Sequence, residues 1–292
     1  MTDGLNQPPP AVPDFSNTFR VVAKQELAKR TICMMEIEAP FIARKARAGQ
    51  FVILRVTDAG ERVPMTITDK DPDKGTITIY FQIIGKSTAL MRTLKVGECF
   101  QDVVGPLGEP DRIERVGKIV MVGGGTGTAV LYHITKAYRE FDNYIIGITG
   151  AREKELLILE KEMRQLCDEL MICTDDGSQG ERGLVTDLLT KCLRLNPDVR
   201  MVWGIGPLAM MKAVANLTRP FQIKTMVSLN PIMLDGTGMC GCCRVTVNKC
   251  TRFVCVHGPS FDAHQVDFDE LLKRKGMYLV QERESLLFSV RR

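Results

Sequence analysis

From Val116 onward the sequence alternates compact apolar runs with stretches of helical period, and that alternation constrains the fold more than any other feature. KIVMVGG precedes TAVLYHITKAYREF, YIIGITGA precedes LLILEKEMRQLCDEL, LMICTDD precedes GLVTDLLTKCLRL, and DVRMVWGIG closes the series. Short β-branched runs suit buried strands, and apolar residues three and four apart suit helices that cover them. Strands joined by helical crossovers become parallel through right-handed connections, so this part of the chain is expected to form a doubly wound parallel sheet.

The preceding segment, Phe19 to Arg112, has another texture. FRVVAKQEL, TICMMEIEA, QFVILRV, MTITDKD and TITIYFQII are separated by turn sequences such as Asp-Ala-Gly and Asp-Pro-Asp-Lys-Gly, a pattern that favours an antiparallel barrel or sandwich over a helical domain. The expected organisation is a polar leader at 1–18, a β-barrel at 19–112, a doubly wound domain at 113–224 and a C-terminal region at 225–292. No apolar run approaches the roughly 20 residues of a membrane span, and the polar start does not read as a secretory signal, so a cytoplasmic location is expected. A net charge of +4 spread along the chain gives little support to nucleic-acid binding.

VMVGGGTGTAV sets Gly123, Gly124, Gly125, Thr126 and Gly127 between the first strand and helix of the alternating series. Glycines at such a turn let the backbone approach a pyrophosphate, whose charge is stabilised by the free amides of the helix N-terminus. Two further strand ends carry candidate groups. Asp175 and Asp176 could accept ribose hydroxyls or form a solvated turn, and Gly206-Pro207 closes the last strand. In the barrel half, Gly85-Lys86-Ser87-Thr88 leads from a strand into a helix; taken alone it reads first as an N-cap, with a second phosphate site as the rival. RVPMT supplies Arg62, Pro64, Met65 and Thr66 on a nearby strand.

The cysteines are lopsided. Of ten, Cys240, Cys242, Cys243, Cys250 and Cys255 fall within 16 residues of a glycine-rich loop that also holds Asp235. Converging thiols on a loop able to wrap a centre suit tetrahedral zinc or one iron-sulfur cluster.

SLNPIMLDGTGMCGCCRVTV and FVCVHGPSFDAHQVDFDEL, with the glycine turns above, resemble the FAD- and 2Fe-2S-containing electron-transfer subunits of NADH-dependent ferredoxin:NADP oxidoreductase, sulfide dehydrogenase and dihydroorotate dehydrogenase. The resemblance covers Phe19 to Phe268. It implies a ferredoxin-reductase-like architecture with an antiparallel FAD-binding barrel, a doubly wound NAD-binding domain and a small C-terminal 2Fe-2S domain. It also implies that Asp235, Cys240, Cys243 and Cys255 hold the cluster, with aspartate first as in the ferredoxin:NADP branch. Gly85 to Thr88 match that family's FAD pyrophosphate turn, Arg62 to Thr66 its flavin strand, and Gly123 to Gly127 with Gly206-Pro207 its nicotinamide-nucleotide half. Met65 stands where the family has an aromatic residue, and Arg62 lies one residue farther upstream than usual.

The function implied is a diaphorase: NADH, with NADPH as the alternative, gives a hydride to FAD, and the cluster relays electrons to a larger flavoprotein bearing 4Fe-4S clusters, with electron bifurcation there. No triad or carboxylate pair suggests acid-base catalysis. The alternatives are an electron-transfer subunit for dihydroorotate oxidation and a non-enzymatic, zinc-stabilised binding protein.

Overall fold

The computed structural model describes residues 19–290, with the side chains of 287–290 excepted. The leader read at 1–18 lies outside the described residues.

Two antiparallel sheets make up the first unit. One has strands in the order Val21–Leu27, Ile32–Glu38, Thr76–Gln82 and Asp69–Asp71; the other has Val63–Thr66, Phe51–Arg55 and Asp102–Leu107. Period-two alternation builds the core. Cys33, Met35 and Ile37 are buried and stand opposite Phe81, Ile79 and Ile77, also buried, so apolar cross-strand pairs fill the interior. MTITDKD, read as one run, divides between the two sheets. Ile67 is fully buried and the Thr68 hydroxyl donates to the Thr78 carbonyl at 2.9 Å, which turns the chain at the barrel's corner.

The second unit is a seven-stranded sheet in the order Glu181–Arg182, Glu169–Thr174, Tyr144–Ala151, Lys118–Gly124, Val199–Ile205, Lys224–Ser228 and Ser260–Asp262. All neighbours are parallel except the last pair. Within Lys118–Gly124, Ile119 and Met121 face one core with Trp203 and helix Gly127–Arg139, while Val120 and Val122 face another with helix Val185–Leu195. Burial on both faces explains why these strands read as continuous apolar runs. LLILEKEMRQLCDEL, expected as one helix, is helical only over Glu160–Leu166. Ile158 and Leu156 pack against Ala28 and Ile32 of the barrel, and that contact overrides their helical preference.

The cysteine-rich segment leaves this sheet after Ser228 and returns to it at Ser260. Between them lie the hairpin Arg244–Val247 with Cys250–Phe253 and the short helix Val254–His257. One core joins all three units, combining Phe51 and Ile53 of the barrel, Leu208 and Met211 of helix Leu208–Thr218, and Cys243, Val254 and Cys255.

Helix Gly127–Arg139 also docks onto the barrel. His133 Nδ1 lies 2.7 Å from the Ile67 carbonyl, and Lys136 pairs with Asp69 at 2.7 Å. The imidazole must carry its proton on Nδ1 to donate there, and burial holds its pKa below the usual 6.5 despite the opposing effect of that bond. A histidine kept neutral in the folded state takes up its proton more readily when unfolded, so stability falls as pH drops below about 6.5. Thermal unfolding between pH 7.5 and 5.5 is therefore expected to decline less steeply in His133→Gln than in the unmodified chain. His264, shifted the same way by its own burial, contributes in the same direction in both chains. Equal slopes would show that His133 is not the buried base at this interface.

Candidate functional site

Strand order reverses beside Lys118–Gly124: the following strands Tyr144–Ala151 and Glu169–Thr174 extend to one side, and Val199–Ile205 to the other. Such a switch point opens a crevice at the carboxyl ends of the two central strands, where doubly wound sheets bind ligands. The predicted glycines meet there. Gly125 has φ +56°, and a Cβ on it would project into open space, so its backbone borders the crevice freely. Gly127 has a different task. A Cβ there would lie 2.3 Å from the Ile205 carbonyl oxygen and 2.8 Å from Gly206 Cα, so glycine permits the helix start to touch the neighbouring strand end. Thr126 and Pro207 stand at the N-terminal ends of the two flanking helices. Met210, which sequence reading did not single out, fills the gap between the two turns, with its Sδ 2.5 Å from the position of a Cβ on Gly124.

Asp175 and Asp176 lie at the end of Glu169–Thr174, two strands from the glycine turn and so about 10 Å away. Asp176 is engaged locally: its Oδ1 accepts from the Ser178 hydroxyl at 2.6 Å and the Ser178 amide at 2.9 Å, which lowers its pKa. Asp175 remains exposed.

In the barrel, Val63–Thr66 pairs with Phe51–Arg55, setting Thr66 opposite Phe51 and Pro64 opposite Ile53. Met65 and Val63 pack against the barrel core, so alternation turns Pro64 and Thr66 to the other face. Met65 thus serves as core rather than as an outward platform, while Arg62 is exposed. Val63, Lys86, Ser87, Leu90 and the Thr57 to Glu61 loop line a cleft of about 210 Å³. A Cβ on Gly85 would meet nothing within 4 Å, which leaves the turn open to a bulky anion. The Thr88 hydroxyl accepts from the Gly85 and Ile84 amides at 3.1 Å, the N-cap role that the tetrapeptide alone suggested. Ser87 donates to Glu61, and Lys86 is exposed. Lys86 and Ser87 are thus the side chains of this turn best placed for a phosphate.

The four expected cluster ligands arrive as two pairs. Cys243 and Cys255 sulfurs lie 3.2 Å apart, and the Cys255 amide donates to Cys243 Sγ at 3.4 Å. Asp235 accepts from the Thr237 amide at 2.7 Å and from the Cys240 amide at 2.6 Å, and these bonds, that of Thr237 foremost, lower its pKa. Among the described residues no three acidic, cysteine or histidine side chains are already drawn together as a metal site. The loop is nevertheless built to fold over the thiol pair. Gly236, Gly238 and Gly241 have φ of 76°, 87° and 67°, and a Cβ on Gly238 would lie 2.6 Å from Val256, the neighbour of Cys255. Three thiols and a carboxylate on such a loop fit an iron-sulfur cluster by donor chemistry.

The other two cysteines differ in place. Cys250 sits at the hairpin tip, opposite Val247, whereas Phe253 and Arg244 form the end next to Cys243. Three residues of strand, about 10 Å, hold it away from the thiol pair. Cys242 stays beside Cys240, and its carbonyl accepts from Arg274 at 3.0 Å.

Sequence reading also overlooked the Gly-Pro-Leu-Gly loop that ends the barrel. Leu107 packs against Gly236, and the Glu109 amide donates to the Gly258 carbonyl at 2.6 Å, so this loop grips the cysteine segment from both sides. Its closely spaced glycines and proline were the available signal.

Comparison with known proteins agrees with this geometry. The model of the iron-sulfur cluster binding domain of dihydroorotate dehydrogenase B matches residues 230–267. A dihydroorotate dehydrogenase B (NAD(+)) electron transfer subunit homolog from Thermotoga maritima is 45% identical over 249 residues, covering 85% of this chain and 88% of that one. The corresponding subunit of Desulforamulus reducens is 30% identical over 255 residues, covering 85% and 96%. A chain of the solved NADH-dependent reduced ferredoxin-NADP oxidoreductase, studied for flavin-based electron bifurcation, is 40% identical with a TM-score of 0.89, covering 94% and 98%. The ferredoxin NADP+ reductase of Neisseria gonorrhoeae, solved with FAD and NADP, is 17% identical at a TM-score of 0.53 and shares the fold.

Proposed function

The chain belongs to the family of dihydroorotate dehydrogenase B electron transfer subunits, and on that footing we propose that it is the nucleotide-oxidising relay of a larger flavin and iron-sulfur complex. Its cofactors are FAD, a 2Fe-2S cluster and a nicotinamide nucleotide. The observation that carries the reading is the strand Phe51–Arg55. It is hydrogen-bonded to Val63–Thr66, and Phe51 and Ile53, opposite Thr66 and Pro64 on one face of the sheet, pack into the core that holds Cys243 and Cys255. The residues proposed for the flavin, Pro64 and Thr66, thus stand one strand spacing, about 5 Å, from side chains packed in the core of Cys243 and Cys255.

When bound, the flavin accepts a hydride and releases electrons singly, which the nicotinamide does not do readily, and the cluster carries them one at a time. The chain's residues bind and orient. Gly123, Gly124, Gly125 and Gly127, with Gly206 and Pro207, admit the nucleotide's pyrophosphate to the crevice, where helix amides face it. Exposed Asp175 suits a free ribose hydroxyl better than a phosphorylated one, which favours NADH over NADPH. Gly85, Lys86 and Ser87 receive the FAD pyrophosphate, and the Thr88 hydroxyl shapes their turn. Pro64 and Thr66 face the flavin, with Arg62 at the strand's outer end. Asp235, Cys240, Cys243 and Cys255 hold the cluster.

The electron partner is a larger flavoprotein subunit with 4Fe-4S clusters, in which bifurcation takes place. Supporting this branch is the chain resembling the solved ferredoxin-NADP oxidoreductase over 94% of its length. The names of the curated relatives favour a second reading, service to a dihydroorotate dehydrogenase. Purifying the tagged chain from its native cells and identifying the stoichiometric partner by mass spectrometry separates the two. A partner with ferredoxin-type cysteine motifs is expected, and a barrel-type dihydroorotate dehydrogenase would overturn the first reading.

A further inference from the structure

Asp111 lies just beyond the last barrel strand, and the relay described above makes no use of it. Its amide donates to the Ala48 carbonyl at 2.9 Å, and its carboxyl lies so close over Gly49 that a Cβ there would sit 2.3 Å from Oδ2. Oδ2 is buried without a partner, as is Ser260 Oγ on the strand that closes the large sheet. The loop leading to Asp111 grips the cysteine segment. Gln50 Nε2 donates to the Gly108 carbonyl at 2.8 Å, the Glu109 amide reaches Gly258, and a Cβ on Gly108 would lie 2.9 Å from the Gly258 oxygen. The Gly258 amide in turn donates to the Val254 carbonyl at 3.1 Å, closing the short helix that carries Cys255.

We propose that Asp111 is a positioning residue: neutral, it seats the 107–111 loop against Gly258 to Ser260 and so fixes Cys255 relative to the barrel, and ionised, it loosens that seat. The inference takes the ligand role of Cys255 from the function proposed above.

Burial pushes the Asp111 carboxyl up to about 7, with the Ser260 hydroxyl acting more weakly in the opposite direction. As a neutral acid it can donate toward Ser260, whereas the carboxylate would be a buried charge needing compensation. The groups facing it do not supply that. Tyr138, from helix Gly127–Arg139, keeps its own proton to about 12. Arg112 turns outward to Glu114 at 3.3 Å, and Glu109 on the same loop is acidic. Asp262, along the strand from Ser260, binds the His264 amide at 2.9 Å. Lys224, Arg252 and His257 line an open cleft that Glu109 and Asp262 share, so their charges meet carboxylates and solvent there. Because the folded pKa lies above the usual 3.8, this group's stabilisation is complete below about pH 4, is lost as pH rises to about 7, and changes no further above that.

The test uses the full chain as purified with its cofactors, and compares it with Asp111→Asn and Ser260→Ala. Hydrogen exchange at the amides of 105–111 and 254–260, corrected for its intrinsic pH dependence, should accelerate by up to about tenfold between pH 6 and 8 in the unmodified chain. In Asp111→Asn it should be flat. In Ser260→Ala, which folds without touching the carboxyl's other contacts, the midpoint should move upward. The paramagnetic resonance signal of the reduced cluster should change with pH along with the exchange in the unmodified chain and in Ser260→Ala, and not in Asp111→Asn. An unchanged titration in Asp111→Asn, or an unmoved midpoint in Ser260→Ala, would overturn the contact. Exchange that titrates while the cluster signal does not would overturn the positioning of Cys255. Absence of flavin and iron-sulfur absorption from the unmodified chain would instead refute the proposed function, and the exchange data would still decide whether Asp111 is the seat.

Discussion

Cys255→Ser should lower iron and labile sulfide per chain at least tenfold and remove the broad visible absorption, while leaving the flavin bands in place. Changing a residue that merely supports a metal ligand already costs roughly 10- to 100-fold in affinity, and here a ligand itself is replaced. The position leaves little room for compensation. Cys255 is buried, 3.2 Å from Cys243, in the core shared with Phe51 and Ile53. Cys250, on the hairpin strand that precedes this short helix, sits at the far tip. Flavin retention is expected because the cleft bordered by Lys86 and Ser87 does not include this segment. Within the ligand set, Asp235→Ala should alter the paramagnetic resonance signal and Cys242→Ser should leave it nearly unchanged. The reverse pattern would transfer the fourth position from the carboxylate to Cys242.

The second large effect is expected at Gly127. Alanine would gain up to about 1 kcal/mol of helix propensity over glycine. Its Cβ, however, would stand 2.3 Å from the Ile205 oxygen and 2.6 Å from the Ile205 carbonyl carbon, both backbone atoms of a central strand that cannot swing aside. Overpacking of this kind costs roughly 1–3 kcal/mol or more, so a net loss of stability is predicted. Separation of helix and strand would also spread the glycine turn, and KM for NADH should rise at least tenfold, by the same order as roughly 1.4 kcal/mol of lost binding. Gly125→Ala is the control. Its added Cβ meets no atom within 4 Å, so only the left-handed backbone at φ +56° opposes it, at about 1–2 kcal/mol. Calorimetry and steady-state kinetics on both variants check this, and equal effects on KM would show that the Gly127 contact does not shape the crevice.

Much of this molecule was legible because its periodicities are strong. Cys33, Met35 and Ile37 alternate with half-buried or exposed neighbours in a single register, and Val120 and Val122 lie between Ile119 and Met121 in a strand covered on both faces. The glycine run was readable for a similar reason, because a turn between strand and helix has few uses for four glycines. What escaped was decided by tertiary contact. Leu156 and Ile158 carry a helical pattern but meet Ala28 and Ile32 of another unit. Nothing in RVPMT indicates which face is covered, so Met65 could not be assigned to the core before the second sheet was known. Nor does the spacing of the cysteines reveal that their segment is held between two strands of the nucleotide sheet, which follows from the pairing of Val227 with Phe261. Asp111 is an ordinary surface residue in sequence and a buried acid only because Gly49 and Ser260 close over it.

The central claim is that this one chain passes electrons from a nicotinamide nucleotide through its flavin to its cluster. Anaerobic mixing of the purified holoprotein with one equivalent of NADH tests it most directly, with optical detection of the flavin and freeze-quenched paramagnetic resonance of the cluster. The flavin bands should bleach first, and the signal of a reduced 2Fe-2S cluster should follow in the same sample. A protein that is colourless and contains zinc, or one whose flavin bleaches while its cluster never receives an electron, would contradict the account.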